Sequence, residues 1–464
     1  NIVTVLLQAG AKPDKPNRDG LTSLHCASRE GHTIIAENLL GYNSNIAART
    51  KNGLTPLHLA VQGNHSKTIA SLIDFGAPLN AVAVDGLCPI HIAAHYGNVE
   101  ATEVLLAKGV DTDSRARNGF TPLHIACKKN REPVIHLLLK YGANINAVNE
   151  GGQTPMHVAA YYGNVSVVVM LLQNGGSPDV TNMRGETVLH IACRIRNINI
   201  VRLLLRNAAA VDAKTQARET ALHIAVKSKN LEMVKLLLDH GASCENIDRN
   251  KCTPLHLAAR NGDDDIVQVL FEHKPPLLEL NQKGFTPLHE AARHGHVKTV
   301  ELLLHHYPSP DPPGKHGMTP LHVASHYDHV KVALLLLNKN ASIYAATKNG
   351  FTPLHIASLR NQNDVASILL EHGVEPDTRT KTGVSPLHLA AKEGHLAAAS
   401  MLLEHGSNPS IQTNNGLTPL HVCARYNRVE VAKLLLKYRA EINVQTKSGF
   451  TALHIACHCG HYEI

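Results

Sequence analysis

A histidine recurs every 33 residues along this chain, at His25, His58, His91, His124, His157, His190, His223, His256, His289, His322, His355, His388, His421 and His454. Fourteen occurrences in one register, with no insertion or deletion, leave few folds open. A fixed period of this length means one supersecondary unit repeated, each unit burying its apolar faces against its neighbours. A conventional division of 464 residues into about three globular domains is therefore excluded.

The unit 118–150, NGFTPLHIACKKNREPVIHLLLKYGANINAVNE, shows what is being repeated. Asn118-Gly119 reads as a turn. Thr121 has the place of a helix N-cap and Pro122 the first helical position, where its missing N–H costs nothing. A short helix follows and breaks at Asn130. Pro133 opens a second helix, in which Val134, Leu137, Leu138 and Tyr141 recur at helical spacing as one apolar stripe. Gly142 ends that helix, and residues 143–150 run on as an extended finger. Close to Thr121, His124 can bond the hydroxyl through one ring nitrogen and a neighbouring backbone carbonyl through the other, which makes it structural. His32, His65, His296, His329, His395 and His461 hold an equivalent place seven residues further on, between the two helices.

Forty-five basic against 38 acidic residues give a net charge of +7, a mild bias over this length that does not point to nucleic acid. The nine cysteines form no disulfide framework and read as free thiols in a reducing compartment. No apolar run is long enough to span a bilayer, and residues 1–10 do not read as a signal peptide. P-loop, nucleophile-elbow and kinase signatures are missing, so the chain reads as non-catalytic, without cofactor or metal. His454, Cys457, His458, Cys459 and His461 crowd together, but His454 and His461 hold repeat positions and no second cysteine pair at zinc-finger spacing follows. Glu290, alone among the apolar residues after each repeat histidine, reads as a satisfied carboxylate.

The T-P-L-H-x-A core with its 33-residue period resembles the ankyrin repeat, which implies an all-α solenoid of helix-turn-helix-finger units forming a curved superhelix. The single array would span 1–464: the second half of a truncated unit at 1–18, thirteen full units over 19–447, and a partial unit at 448–464, a fragment of a longer array. RDGLTSLHCASREGH (18–32), KNGLTPLHLAVQGNH (51–65), RNGFTPLHIACKKN (117–130) and HYDHVKVALLLL (326–337) resemble, in the same order, segments of the membrane-binding domain of the ankyrin adaptors. That resemblance implies a scaffold whose concave groove holds cytoplasmic segments of ion channels and adhesion proteins. Domains beyond this chain would link it to spectrin, at the cytoplasmic face of the plasma membrane, without insertion into the bilayer. The N-terminal spring of a mechanosensitive transient-receptor-potential channel is the alternative.

Two columns of positions, equivalent from unit to unit, are the candidate binding groove. One lies on the finger, one residue before the cap: Leu21, Leu54, Leu87, Phe120, Gln153, Glu186, Glu219, Cys252, Phe285, Met318, Phe351, Val384, Leu417 and Phe450. Beside a turn, so apolar a column needs a reason, and ligand contact supplies one. The other ends the first helix, where Lys128, Arg194, Lys227, Arg260, Arg293 and Arg425 stand among eight Lys or Arg and no acid, with Tyr96, Tyr162, Tyr327 and Tyr426 in the next position. Basic and aromatic groups together suit extended acidic and apolar peptides. Some units depart from the pattern. Arg218 and Lys251 replace the turn glycine, and Pro275 and Pro276 stand for Gly-Ala at a helix end. Pro308, Pro310, Pro312 and Pro313 remove four N–H groups from one finger, predicting a weak seam between units 250–282 and 316–348.

Overall fold

A computed structural model describes residues 2–464. They form 28 α-helices and, among the described residues, no strand. The helices alternate between a short one of seven or eight residues and a longer one, commonly of nine. No described helix is long and apolar enough to cross a membrane. The chain divides into two compact units, Asn1–Ala242 and Ser243–Ile464. In each, first helices stack on first helices and second on second, as Pro122–Lys128 does on Pro155–Tyr161 in the former and Pro320–Tyr327 on Pro353–Arg360 in the latter.

The motif histidine organises each unit. Thr121 caps Pro122–Lys128, accepting from the His124 N–H, and the Thr121 N–H donates to His124 Nδ1 at 3.2 Å. This is a capping box in which imidazole replaces the usual Glu or Gln. Because Nδ1 accepts, Nε2 carries the proton and donates to the Gln153 carbonyl at 2.9 Å, in the next unit's finger. The same bond to a carbonyl 29 residues ahead recurs from His25 to Leu54 and from His355 to Val384. Thus the carbonyl that sequence placed nearby belongs to the following unit. The second histidine set reaches backwards: His65 bonds the Arg29 carbonyl, His329 that of Arg293 and His395 that of Leu359. Where the second histidine is present, neighbouring units are stapled in both directions. Burial drives the motif imidazoles His124 and His355 towards neutrality, lowering each pKa to about 4.

Packing agrees with the apolar pattern at Val134 and Leu138, which are fully buried with Leu123, each such side chain contributing about 1.5–3 kcal/mol by leaving water. Tyr141 departs from it: the tyrosine is 40% exposed, and Ile135 is buried in the same helix. That helix begins at Glu132, one residue before Pro133. Asn130 and Gly142 break and end the helices in the left-handed region, at φ 57° and 85°. Arg218 and Lys251 adopt the turn glycine's conformation without being glycine, at φ 59° and 57°. Each such residue costs about 1–2 kcal/mol.

The proline-rich fingers differ from expectation. Lys274, not Pro275, takes the helix-ending glycine's place, at φ 49°, so Lys274-Pro275 stands where other units have Gly-Ala. The finger 143–150 uses the N–H groups of Ala143, Asn144, Asn146, Ala147, Asn149 and Glu150 in hydrogen bonds and those of Ile145 and Val148 in none. Pro310 and Pro313 occupy the places of Ile145 and Val148, so only Pro308 and Pro312 delete a bond, and both deleted bonds lie within one unit. Links to neighbouring fingers persist: the Lys315 N–H donates to the Gly284 carbonyl at 2.8 Å, and the Ser342 N–H to Asp311 Oδ2 at 2.8 Å. Tyr307 stands at the next helix-ending glycine position and turns inwards, its hydroxyl donating to the Leu277 carbonyl at 2.5 Å. The seam expected from missing donors is thus a stitched junction.

Candidate partner-binding surface

The finger column is presented by a rigid backbone. Leu54, Leu87, Phe120, Phe285, Met318, Phe351, Val384, Leu417 and Phe450 each accept through their carbonyl from a motif histidine of the preceding unit, at 2.9–3.2 Å. Their side chains stay at the surface, with Phe450 exposed and the others, Leu21 included, half-buried. Phe120, Phe285 and Phe351 rest against the histidine of their own unit at ring distances of 5.5–5.8 Å. A half-exposed aromatic on a fixed carbonyl loses little freedom on meeting a ligand.

The helix-end column adjoins it. Lys128, Arg194, Lys227 and Arg425 are exposed, Arg260 and Arg293 half-buried. Tyr96, Tyr162, Tyr327 and Tyr426 are all 40–49% exposed, and each stands beside the preceding unit's helix-end residue. Gln62 donates to the Tyr96 hydroxyl at 3.0 Å and Arg293 to that of Tyr327 at 3.1 Å. Lys128 lies 5.4 Å from the Tyr162 ring and Lys392 5.9 Å from that of Tyr426. The tyrosines bridge units without being buried, leaving ring faces and cations accessible.

Three clefts bring the columns together. One, of about 510 Å³, is lined by Phe120, Lys128, Gln153, Tyr162, Glu186 and Arg194. Another, of about 220 Å³, takes Leu54 and Leu87 with Gln62, His95 and Tyr96. In the other compact unit Leu417, Arg425, Phe450 and His458 line about 710 Å³.

Sequence reading missed that the columns neutralise each other along part of their length. Arg194 pairs with Glu186 at 2.5 Å, and Lys227 pairs with Glu219. Burial raises the Glu186 pKa, but the Arg194 and Asn182 hydrogen bonds outweigh it and hold the carboxyl below its usual range. Arg260 pairs with Glu290 at 3.1 Å, while Asn281 donates to the same carboxylate at 2.6 Å. Glu290 is wholly buried and satisfied, and these partners likewise keep it ionised against the cost of burial. The signal was available: each finger acid occurs in a unit whose helix end is basic. At the far end of the chain, His454 bonds Thr451, and His461 bonds the Ala424 carbonyl.

A family model described as ankyrin repeats, in three copies, matches the chain in overlapping stretches from 1–83 to 387–464, and the chain belongs to the ankyrin-repeat family. Ankyrin repeats bind other proteins, and this chain is a repeat-built protein-interaction scaffold. Among solved structures, it is similar to the ankyrin repeat domain of Bcl-3, described as a unique member of the IkappaB protein family. The identity is 27% and the TM-score 0.41, over 45% of this chain and 95% of that one. No curated protein sequence matches it.

Proposed function

We propose that this chain is a non-catalytic adaptor that holds extended cytoplasmic segments of membrane proteins, channels and adhesion molecules among them, in clefts between its fingers and first-helix ends. It would act at the cytoplasmic face of the plasma membrane, joined to the spectrin cytoskeleton through further domains. One observation carries the binding mode: apolar finger residues and helix-end cations line the same clefts, as Phe120 and Lys128 do. Apolar pockets give such a surface affinity, and flanking charges give it speed and selectivity. The resemblance of four ordered segments to the ankyrin adaptors supports the partner class.

The test is a panel of cytoplasmic-tail peptides from channels and adhesion proteins, each beside a scrambled control, titrated with the 464-residue chain. Selective binding by some tails, weakened by Phe120→Gln or Phe351→Gln, is expected. Tails bound no better than their scrambles would reject the reading.

A further inference from the structure

The compact unit Ser243–Ile464 carries six apolar finger residues in succession, from Phe285 to Phe450. The helix ends beside them read Arg293, His326, Leu359, Lys392, Arg425 and His458. Arg260, which precedes this run, is consumed by Glu290. Arg293 and Arg425 instead face tyrosine rings, 5.6 and 5.8 Å from those of Tyr327 and Tyr426, and neither forms an ion pair with a carboxylate among the described residues. Lys392 lies 5.9 Å from the Tyr426 ring, and among the described residues its one carboxylate contact is the adjacent Glu393, at 3.4 Å on an exposed surface, worth little. Asp328, next to Tyr327, accepts the Val365 N–H through Oδ1 at 3.1 Å. Three cations with no strong internal partner, in the first, fourth and fifth of six units, therefore seek acids.

Stacked helices lie about 8–10 Å apart. A polyproline II segment has three residues per turn and rises about 3.1 Å per residue, so it advances about 9.3 Å per turn and presents the same face once per turn. A β-strand repeats its face every about 6.6 Å and would drift out of step with the clefts. The helix-end column thus converts into a sequence pattern at three residues per unit.

We propose that Ser243–Ile464 recognises an acidic–apolar segment in the polyproline II conformation, with an acid at position n, an apolar residue at n+6 facing Leu359, and acids at n+9 and n+12. The acids meet Arg293, Lys392 and Arg425, while the apolar residue packs on the part-exposed Phe351 ring. This deepens the adaptor reading above and rests on it. Prolines at outward-facing positions of the ligand preorganise it and strengthen binding.

The probes are 13-residue synthetic peptides with Asp at 1, 10 and 13 and Leu at 7, made in both chain directions. Controls of identical composition carry the acids at 1, 6 and 13. Fluorescence anisotropy with the full 464-residue chain reads affinity. In one direction, the patterned peptide should bind about fivefold to tenfold tighter than its control. Arg425→Glu should weaken it about threefold to fivefold, and Lys in place of the Asp at position 13 should restore binding, whereas Lys at position 1 should not. Equal binding of patterned and control peptides, or rescue by Lys at either position, overturns the pattern while leaving the adaptor reading intact if natural tails still bind. If neither natural tails nor synthetic peptides bind, both readings fall.

Discussion

Two stretches of the same repeat handle the same two columns differently. Over Gln153, Glu186 and Glu219 the fingers are polar, and Glu186 and Glu219 are tied to the helix-end cations Arg194 and Lys227. From Phe285 to Phe450 the fingers are apolar, and the cations face tyrosine. The helices, the caps and the forward bonds of the motif histidines are alike in both, as His157 to the Glu186 carbonyl and His322 to the Phe351 carbonyl show. The fold presents both columns in the same places, but in the first stretch the cation is already held by a carboxylate; on the reading proposed above, that pairing withholds it from a ligand.

The common staple should fail equally in both stretches. His124→Ala, facing Gln153, and His355→Ala, facing Val384, each strand the cap N–H and a finger carbonyl. We expect each to cost about 2–4 kcal/mol by urea denaturation, the two agreeing within about 0.5 kcal/mol. Unequal losses would mean that the finger side chains contribute to the staple. Acid should act alike on both. His124 and His355 have folded pKa values of about 4 against an ordinary 6.5, so between those values the unfolded state binds more protons. Stability is fully present above about pH 6.5 and falls as pH drops towards 4; a melting temperature unchanged between pH 7.5 and 4.5 would contradict the neutral imidazoles.

Ligand binding should separate the stretches. Phe351→Gln should weaken a ligand of the 285–450 stretch about tenfold and leave one bound over 21–120 unchanged, with stability nearly constant because the ring is already half-exposed. Equal weakening of both ligands, or a loss confined to thermal stability, would make the column packing. Freeing a cation is the converse experiment. Glu186→Gln should cost about 1 kcal/mol and give Arg194 to solvent, after which acidic peptides should associate faster near that cleft. An unchanged on-rate would mean that Arg194 was never withheld.

Helix pairs, the capping threonine and the left-handed Asn130 and Gly142 were legible because each is a local decision, set by propensity and repeated in register. The fingers' exposure and the tyrosines' partners were legible only as columns. What sequence did not yield was any bond reaching across units: His124 to the Gln153 carbonyl, Lys128 to the Tyr162 ring, Arg260 to Glu290. Such bonds depend on how one unit stacks on the next, which a single 33-residue window does not contain. The proline finger was misjudged for the same reason, since counting absent N–H groups cannot tell which of them another finger uses. Tyr307→Phe tests the corrected view. Loss of its bond to the Leu277 carbonyl should cost about 1 kcal/mol and speed amide exchange over 275–288; no change would restore the expectation of a weak junction.

The smallest effect concerns encounter. Charge reversal at Arg293 should slow association a few-fold at low salt and much less at physiological ionic strength, where exposed charges are screened beyond about 8 Å. Reversal at Arg194, already paired with Glu186, should slow it less. Equal slowing would erase the distinction between held and available cations.

The central claim is that unpaired columns bind and paired ones do not, and the footprint of a bound peptide reads this directly. Amide hydrogen exchange of the chain with and without a tail peptide that binds the 285–450 stretch should show added protection at the fingers and first-helix ends of 285–293, 318–326, 351–359, 384–392 and 417–425. The paired stretch 186–227 should be unchanged. Protection spread over 186–227, or concentrated on second helices such as Val297–His306 and Val330–Asn338, would contradict it.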